Sequence, residues 1–151
     1  MRRKLITGLL ATGSLVVTAQ PAFAKAWGPI NTKSGSTVLG TASGSFTIQT
    51  SQYAHNSATY RDTRNNGHGI FVSGSIFFFE ASEGSSTPHW VEDASFRYPN
   101  NDYGDGRSFT WTTNDPLHGN TSQTRSGDRI CEDLSLQPDN CSLSAITTLS
   151  Y

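Results

Sequence analysis

Four histidines, two cysteines and 12 acidic side chains are the groups here that could do chemistry, and their spacing narrows what that chemistry is. His55, His68, His89 and His118 are spaced 13, 21 and 29 apart, so no local stretch forms a histidine metal motif. The run Asn100-Asn101-Asp102-Tyr103-Gly104-Asp105-Gly106 has the oxygen-rich look of a calcium loop. Its alternate positions do not spell the calcium pattern and no closing Glu follows, so turn chemistry accounts for the same residues. No metal ligand and no cofactor is assigned. A serine hydrolase needs a nucleophile on a strained turn with a His base and an acid, and no G-x-S-x-G is present. Glycoside hydrolysis needs two carboxylates facing each other across a cleft. Glu92-Asp93 and Glu132-Asp133 are adjacent pairs, and strand alternation sends the two members to opposite faces. Glu92 shares a parity with Trp90 and Ala94, and Glu132 with Ile130 and Leu134, so each is expected on a partly wet face or paired with Arg97, Arg107 or Arg129. No catalytic residue is assigned.

The aromatic residues carry the stronger signal. Trp90, Tyr98, Tyr103 and Trp111 flank polar turns, and rings beside Asn, Asp and Arg hold sugars by stacking and hydrogen bonding. These four are the candidate binding residues; the competing expectation is that Trp90 and Trp111 are core. Cys131 and Cys141 lie ten apart, which fits no zinc spacing well and predicts a disulfide in an exported chain. Closing such a loop contributes roughly 3 kcal/mol in the chain-entropy picture.

Export is itself read from the N-terminus. Met1-Arg2-Arg3-Lys4 is a positive segment, Leu5 to Val17 is apolar though interrupted, and Ala22-Phe23-Ala24 is a small-residue cleavage site. Residues 1–24 are therefore predicted to be a signal peptide, cut between Ala24 and Lys25 and leaving a secreted, extracellular product. The apolar run falls short of the roughly 20 residues of a membrane span, so no stable anchor is expected after cleavage. No Cys sits near the cut to take a lipid. Arg2-Arg3 leaves the twin-arginine route as an alternative to general secretion.

Cleavage removes three of the 11 basic residues and no acidic one, leaving eight basic against 12 acidic groups and a net charge of −4. The arginines that remain, Arg61, Arg64, Arg97, Arg107, Arg125 and Arg129, read as scattered in the chain. Nucleic acid is not an expected partner, because it demands clustered Lys and Arg.

The elements that must position these groups are strands. Phe46 and Ile48, Ala58 and Tyr60, Ile70 to Phe78, Trp90 to Tyr98, Phe109 and Trp111, and Ile130, Leu134 and Leu136 all alternate with period two, with a last strand in 143–149. No helical period of useful length occurs. Turn formers separate the runs, as in Asn65-Asn66-Gly67 and Pro138-Asp139-Asn140. The expected fold is all-β, a single antiparallel β-sandwich with one disulfide, a small β-barrel being the alternative. Residues 69–81, apolar on both faces, are expected to be a central, doubly covered strand. Residues 25–36 are expected as a loose lead-in and 37–151 as the domain.

Two stretches carry a resemblance. Asp62-Thr63-Arg64-Asn65-Asn66-Gly67-His68-Gly69-Ile70-Phe71-Val72 is similar to a strand–turn–strand signature of small exported β-rich proteins of actinobacteria. Arg129-Ile130-Cys131-Glu132-Asp133 with Pro138-Asp139-Asn140-Cys141-Ser142 resembles their C-terminal cysteine loop, with Leu136-Gln137 where those proteins carry an aromatic. The resemblance implies an exported bacterial β protein and transfers no function. The leading functional expectation is a non-catalytic extracellular module binding a glycan or a protein partner. A structural or envelope-associated role is the alternative, and a small secreted hydrolase the third.

Overall fold

The structure is a computed structural model that describes residues 24–101, 104 and 106–151. The predicted signal peptide, save Ala24, and the binding candidate Tyr103 lie outside the described residues, as do Asp102 and Asp105 of the calcium-like run. The described chain contains strands and no helix. They are β1 (Ala24–Ser34), β2 (Thr37–Gln49), β3 (Tyr53–Asp62), β4 (Ile70–Glu80), β5 (His89–Arg97), β6 (Ser108–Pro116), β7 (Gln123–Glu132), β8 (Asn140–Cys141) and β9 (Ala145–Ser150).

Two antiparallel sheets pack face to face, and neither closes into a barrel. One has the order β1-β2-β3-β6; the other runs β5-β4-β7, with β8 and β9 both lying along the far edge of β7. Residues expected as a loose lead-in are instead strand β1, paired with β2 from Ala24↔Thr47 to Ser34↔Thr37. What its polar sequence concealed is one anchor: Trp27 is buried, and its indole N–H donates to Asn56 Oδ1 at 3.1 Å. Gly44 makes room for that ring, since a Cβ there would stand 2.6 Å from it and 1.9 Å from the Ser57 carbonyl.

The core follows the alternation. Phe46 and Ile48 from β2 and Ala54, Ala58 and Tyr60 from β3 pack against Ile70, Val72, Ile76 and Phe78 of β4, Ile130 of β7 and Leu149 of β9. Side chains on alternate positions of facing sheets interdigitate in this way when each strand presents one apolar face. The expected strand through Ile130, Leu134 and Leu136 ends early, at Glu132; Leu134 lies in a turn and Leu136 is 98% exposed. The Cys131–Cys141 disulfide forms, joining register partners of β7 and β8.

Strand β4 is central in its sheet, as expected, but among the described residues no third layer covers its second apolar face. Arg97 lies 3.6 Å over the Phe71 ring, Arg125 lies 4.7 Å over Phe77, and Trp90 packs against Phe79 at 5.2 Å. Guanidinium groups and a tryptophan therefore do what a helix or sheet does elsewhere, because their flat faces shield a ring while their edges stay wet. That arrangement builds the candidate site.

Candidate functional site

The outward residues of the β5-β4-β7-β9 sheet form cross-strand rows that the register defines. One row is Glu92, Phe77, Arg125 and Thr148. The next is Ser95, Ser75, Gly127 and Ile146, and beyond it come Arg97, Ser73 and Arg129. The outer rows carry long or planar side chains and the middle row mostly small ones. The result is a groove of about 480 Å³ that crosses the strands, floored by Ser75 and Gly127. Arg125 and Arg129 stand four residues apart on one strand, a separation of about 13 Å, and the groove spans three strand spacings, about 14 Å.

Each wall is braced. Arg125 is held by two rings, Phe77 and, at 4.4 Å, Trp90. Burial pulls the Arg125 guanidinium below its usual value, and it remains charged at neutral pH. Arg129 donates from Nε to Ser73 Oγ at 3.1 Å. Neither arginine has a carboxylate within ion-pair distance among the described residues, whereas Arg97 pairs with Asp133 at 2.9 Å and Asp139 at 3.7 Å. Glu92, the one acidic group lining the groove, accepts from Ser75 Oγ at 3.0 Å. The groove is thus locally basic on a chain whose net charge is −1.

The sequence candidates scatter. Trp90 does not line the groove but backs Arg125, which does, and it faces that way because of a bulge: Ile76 pairs with Ala94 and Phe77 with Glu92, so Asp93 is an extra residue. The bulge reverses parity, which puts Glu92 and Trp90 outward while Ala94 packs against the core. Tyr98 is not a binding residue but core, 4% exposed, and burial pushes its phenol up to about 12. Trp111 is 43% exposed on β6 of the other sheet, opposite Ala58, so it shares no surface with Trp90.

Glu132 is buried and accepts from Asn66 Nδ2 at 2.7 Å, not from an arginine. In the calcium-like run, Asn101 is buried and donates from Nδ2 to the Arg107 carbonyl, which is loop bracing. No group of three or more His, Cys, Asp or Glu among the described residues is placed to hold a metal ion.

Sequence reasoning missed Arg125, Arg129, Phe77 and Gly127. Arginines that read as scattered meet because β5 and β7 flank β4. The shared parity of Arg125, Gly127 and Arg129 was the available signal: two cations on one strand face with nothing between them.

The chain matches no family model, and no curated protein shows significant similarity to it.

Proposed function

We propose that this protein is an exported, non-catalytic module that binds an anionic saccharide chain along the groove across β5, β4, β7 and β9. The observation that carries the reading is the pair Arg125 and Arg129, two guanidiniums without carboxylate partners among the described residues, bracketing a glycine-floored trough lined by the aromatic residues Phe77 and Phe96. Planar donor forks suit carboxylates, rings suit the apolar faces of sugars, and serine hydroxyls suit sugar hydroxyls. The trough's course across the strands favours an extended polymer over a compact ligand. A hydrolase is disfavoured by the same lining, since Glu92 is its only carboxylate and glycoside hydrolysis needs two. Export accords with the signal-like N-terminus and with the Cys131–Cys141 disulfide. No helix among the described residues is long and apolar enough to cross a membrane.

Calorimetric titration of residues 25–151 with oligogalacturonate, against neutral cello-oligosaccharide, tests this. The uronate is expected to bind and to weaken with added salt. Arg125→Gln and Arg129→Gln are each expected to weaken it about tenfold, the loss of one charge-assisted contact. A neutral oligomer binding equally well, or a double variant that binds like the parent, would remove the basis for the reading.

A further inference from the structure

The edges of the two sheets are not alike. A bare edge strand is a row of unpaired backbone donors and acceptors, and proteins blunt it with bulges, charges, proline or a cover. Strand β1 carries two register shifts, Pro29 and the charges of Lys25 and Lys33. It is also tied across to β8 and β9. Lys25 Nζ donates to the Thr148 carbonyl at 2.8 Å, Thr32 Oγ1 to the Asn140 carbonyl at 2.8 Å, and Asn140 Nδ2 to the Lys33 carbonyl at 2.7 Å. This side of the sandwich is therefore closed for both sheets. On the other side, β5 has its bulge at Asp93 and carries Glu92, Asp93 and Arg97.

Strand β6 has none of these devices. Its nine pairs with β3, from Tyr53↔Pro116 to Arg61↔Ser108, run without a shift. Its proline is its last residue, its one charged residue, Asp115, is buried, and 108–114 hold no charge. No strand among the described residues lies along its outer edge. Trp111 has the inward parity, opposite Ala58, yet it is 43% exposed and stands outside the core cluster. An unblunted ladder beside a half-bare apolar ring is what strand addition uses: the backbone supplies the hydrogen bonds and the ring supplies area to bury.

We infer that β6 is the contact of a homodimer, in which the β6 strands of two copies pair antiparallel about a two-fold axis at Trp111 and their four-stranded sheets join into one. The strand is self-complementary in that register. Trp111 meets Trp111, Thr110 meets Thr112 on both sides of the axis, and Ser108 meets Asn114. Aromatic pairs and hydroxyl pairs are favourable cross-strand neighbours, and no like charges face each other. A foreign strand finds no charge in 108–114 to select it, whereas a second copy finds its own pattern. A register centred on Thr112 would set each ring against Thr113 and leave the rings apart.

The magnitude follows from the size of the edge. Nine strand residues span about 30 Å and a sheet is about 10 Å thick, so the ladder buries about 300 Å² per copy. A standard stable complex buries roughly 800 Å² per partner, so this dimer is a weak one, with half-association expected between about 10 μM and 1 mM. The axis stands perpendicular to the joined sheet. Both copies then turn their grooves the same way, and the pairing covers neither. The groove lies on the other sheet, so the dimer and the saccharide reading fail independently.

Sedimentation equilibrium of residues 25–151 across that concentration range, without ligand, tests the contact. The parent is expected to pass from monomer to dimer. Thr110→Lys with Thr112→Lys sets like charges opposite each other twice across the axis and is expected to weaken association at least about tenfold at low salt. It also makes the negative chain less negative, so a loss cannot come from general repulsion. Thr110→Lys with Thr112→Glu sets opposite charges in the same two pairs and is expected to return association to within about threefold of the parent. Both positions are exposed, and circular dichroism checks that each variant folds. A parent that stays monomeric throughout overturns the dimer. An opposite-charged variant that associates no better than the like-charged one overturns it too, since the residues would then not meet across the axis.

Discussion

Asn56 donates its side-chain amide to Asp128 Oδ1 at 2.7 Å, joining β3 of one sheet to β7 of the other through the middle of the core. Both residues are fully buried, and Asn56 Oδ1 in turn receives the Trp27 indole. The chain of contacts is incomplete: Asp128 Oδ2 and Ser126 Oγ, buried on the same face of β7, have no hydrogen-bond partner among the described residues. Burial pushes the Asp128 carboxyl up to about 6, with the Asn56 amide that donates to it pulling the other way.

The sign of the resulting pH dependence follows from linkage. The folded state holds the Asp128 proton more tightly than the unfolded state, so stability falls as pH rises from about 4 to about 6 and levels off above. Asp115, raised in the same direction, adds to the slope. Asp128→Asn keeps the acceptor for Asn56 and supplies a donor toward Ser126. It is expected to flatten that slope and to stabilise the protein near pH 7.5 by up to about 3 kcal/mol, with little change near pH 4. Urea denaturation at three pH values measures both effects; a variant less stable than the parent at pH 7.5 would contradict the assignment.

Two glycines on facing strands should behave in opposite ways. A Cβ at Gly44 would meet the Ser57 carbonyl at 1.9 Å and the Trp27 ring at 2.6 Å, while at Gly127 the nearest neighbour is the Phe77 ring at 3.7 Å. Gly44→Ala is expected to cost about 3 kcal/mol or more, since one obstacle is the buried Trp27 ring and the other is backbone. Gly127→Ala should change stability by less than about 1 kcal/mol. The bulkier Gly127→Leu should fold and lose oligogalacturonate binding, because its side chain fills the floor. Thermal melts with a binding titration distinguish these outcomes.

The β2–β3 hairpin holds Thr50 and Ser51 at φ of 51° and 55°, successive left-handed positions without a glycine. For a β-branched residue this conformation is costly. Thr50→Gly is expected to stabilise by about 1 kcal/mol despite losing an exposed hydroxyl contact to the Gln49 carbonyl. A lower melting temperature would show that the turn is not strained there.

Strand β8 is two residues long and pairs only with Cys131 and Glu132. Its place therefore depends on the disulfide more than on its ladder. Cys131→Ser with Cys141→Ser is expected to cost about 3 kcal/mol and to expose the amides of the 133–139 loop to fast hydrogen exchange. Unchanged exchange in that loop would mean that the Arg97 salt bridges, with the hydrogen bonds of Asn100 to Asp133 and of Asn140 to β1, hold it without the disulfide.

Much of the fold is legible in the chain because alternation is a local property. Phe46 and Ile48, or Ile70, Val72, Ile76 and Phe78, announce their buried face without reference to any partner strand. Strand β1 escaped notice because its two large apolar residues, Trp27 and Ile30, lie three apart on opposite parities of a mostly exposed 11-residue strand and make no period-two pattern. Tyr98 was misplaced for a related reason: its polar neighbours are a turn, yet its ring closes the end of the core. The site was less legible still. Period-two reasoning across Trp90 to Ala94 assumed an unbroken strand, and the extra residue Asp93 reverses the pattern halfway along.

Residue order alone determined that the chain is built of antiparallel strands and that its two thiols lie close enough to join, since alternation and short loop closure depend only on neighbours along the backbone. Only the tertiary structure decided that Arg97, Arg125 and Arg129 share one face with Phe77 and Trp90, and that β6 with Trp111 lies at an edge of the other sheet. Those placements depend on which strands lie side by side, how the sheets face each other and where a bulge falls, and they are set by packing between segments far apart in the chain.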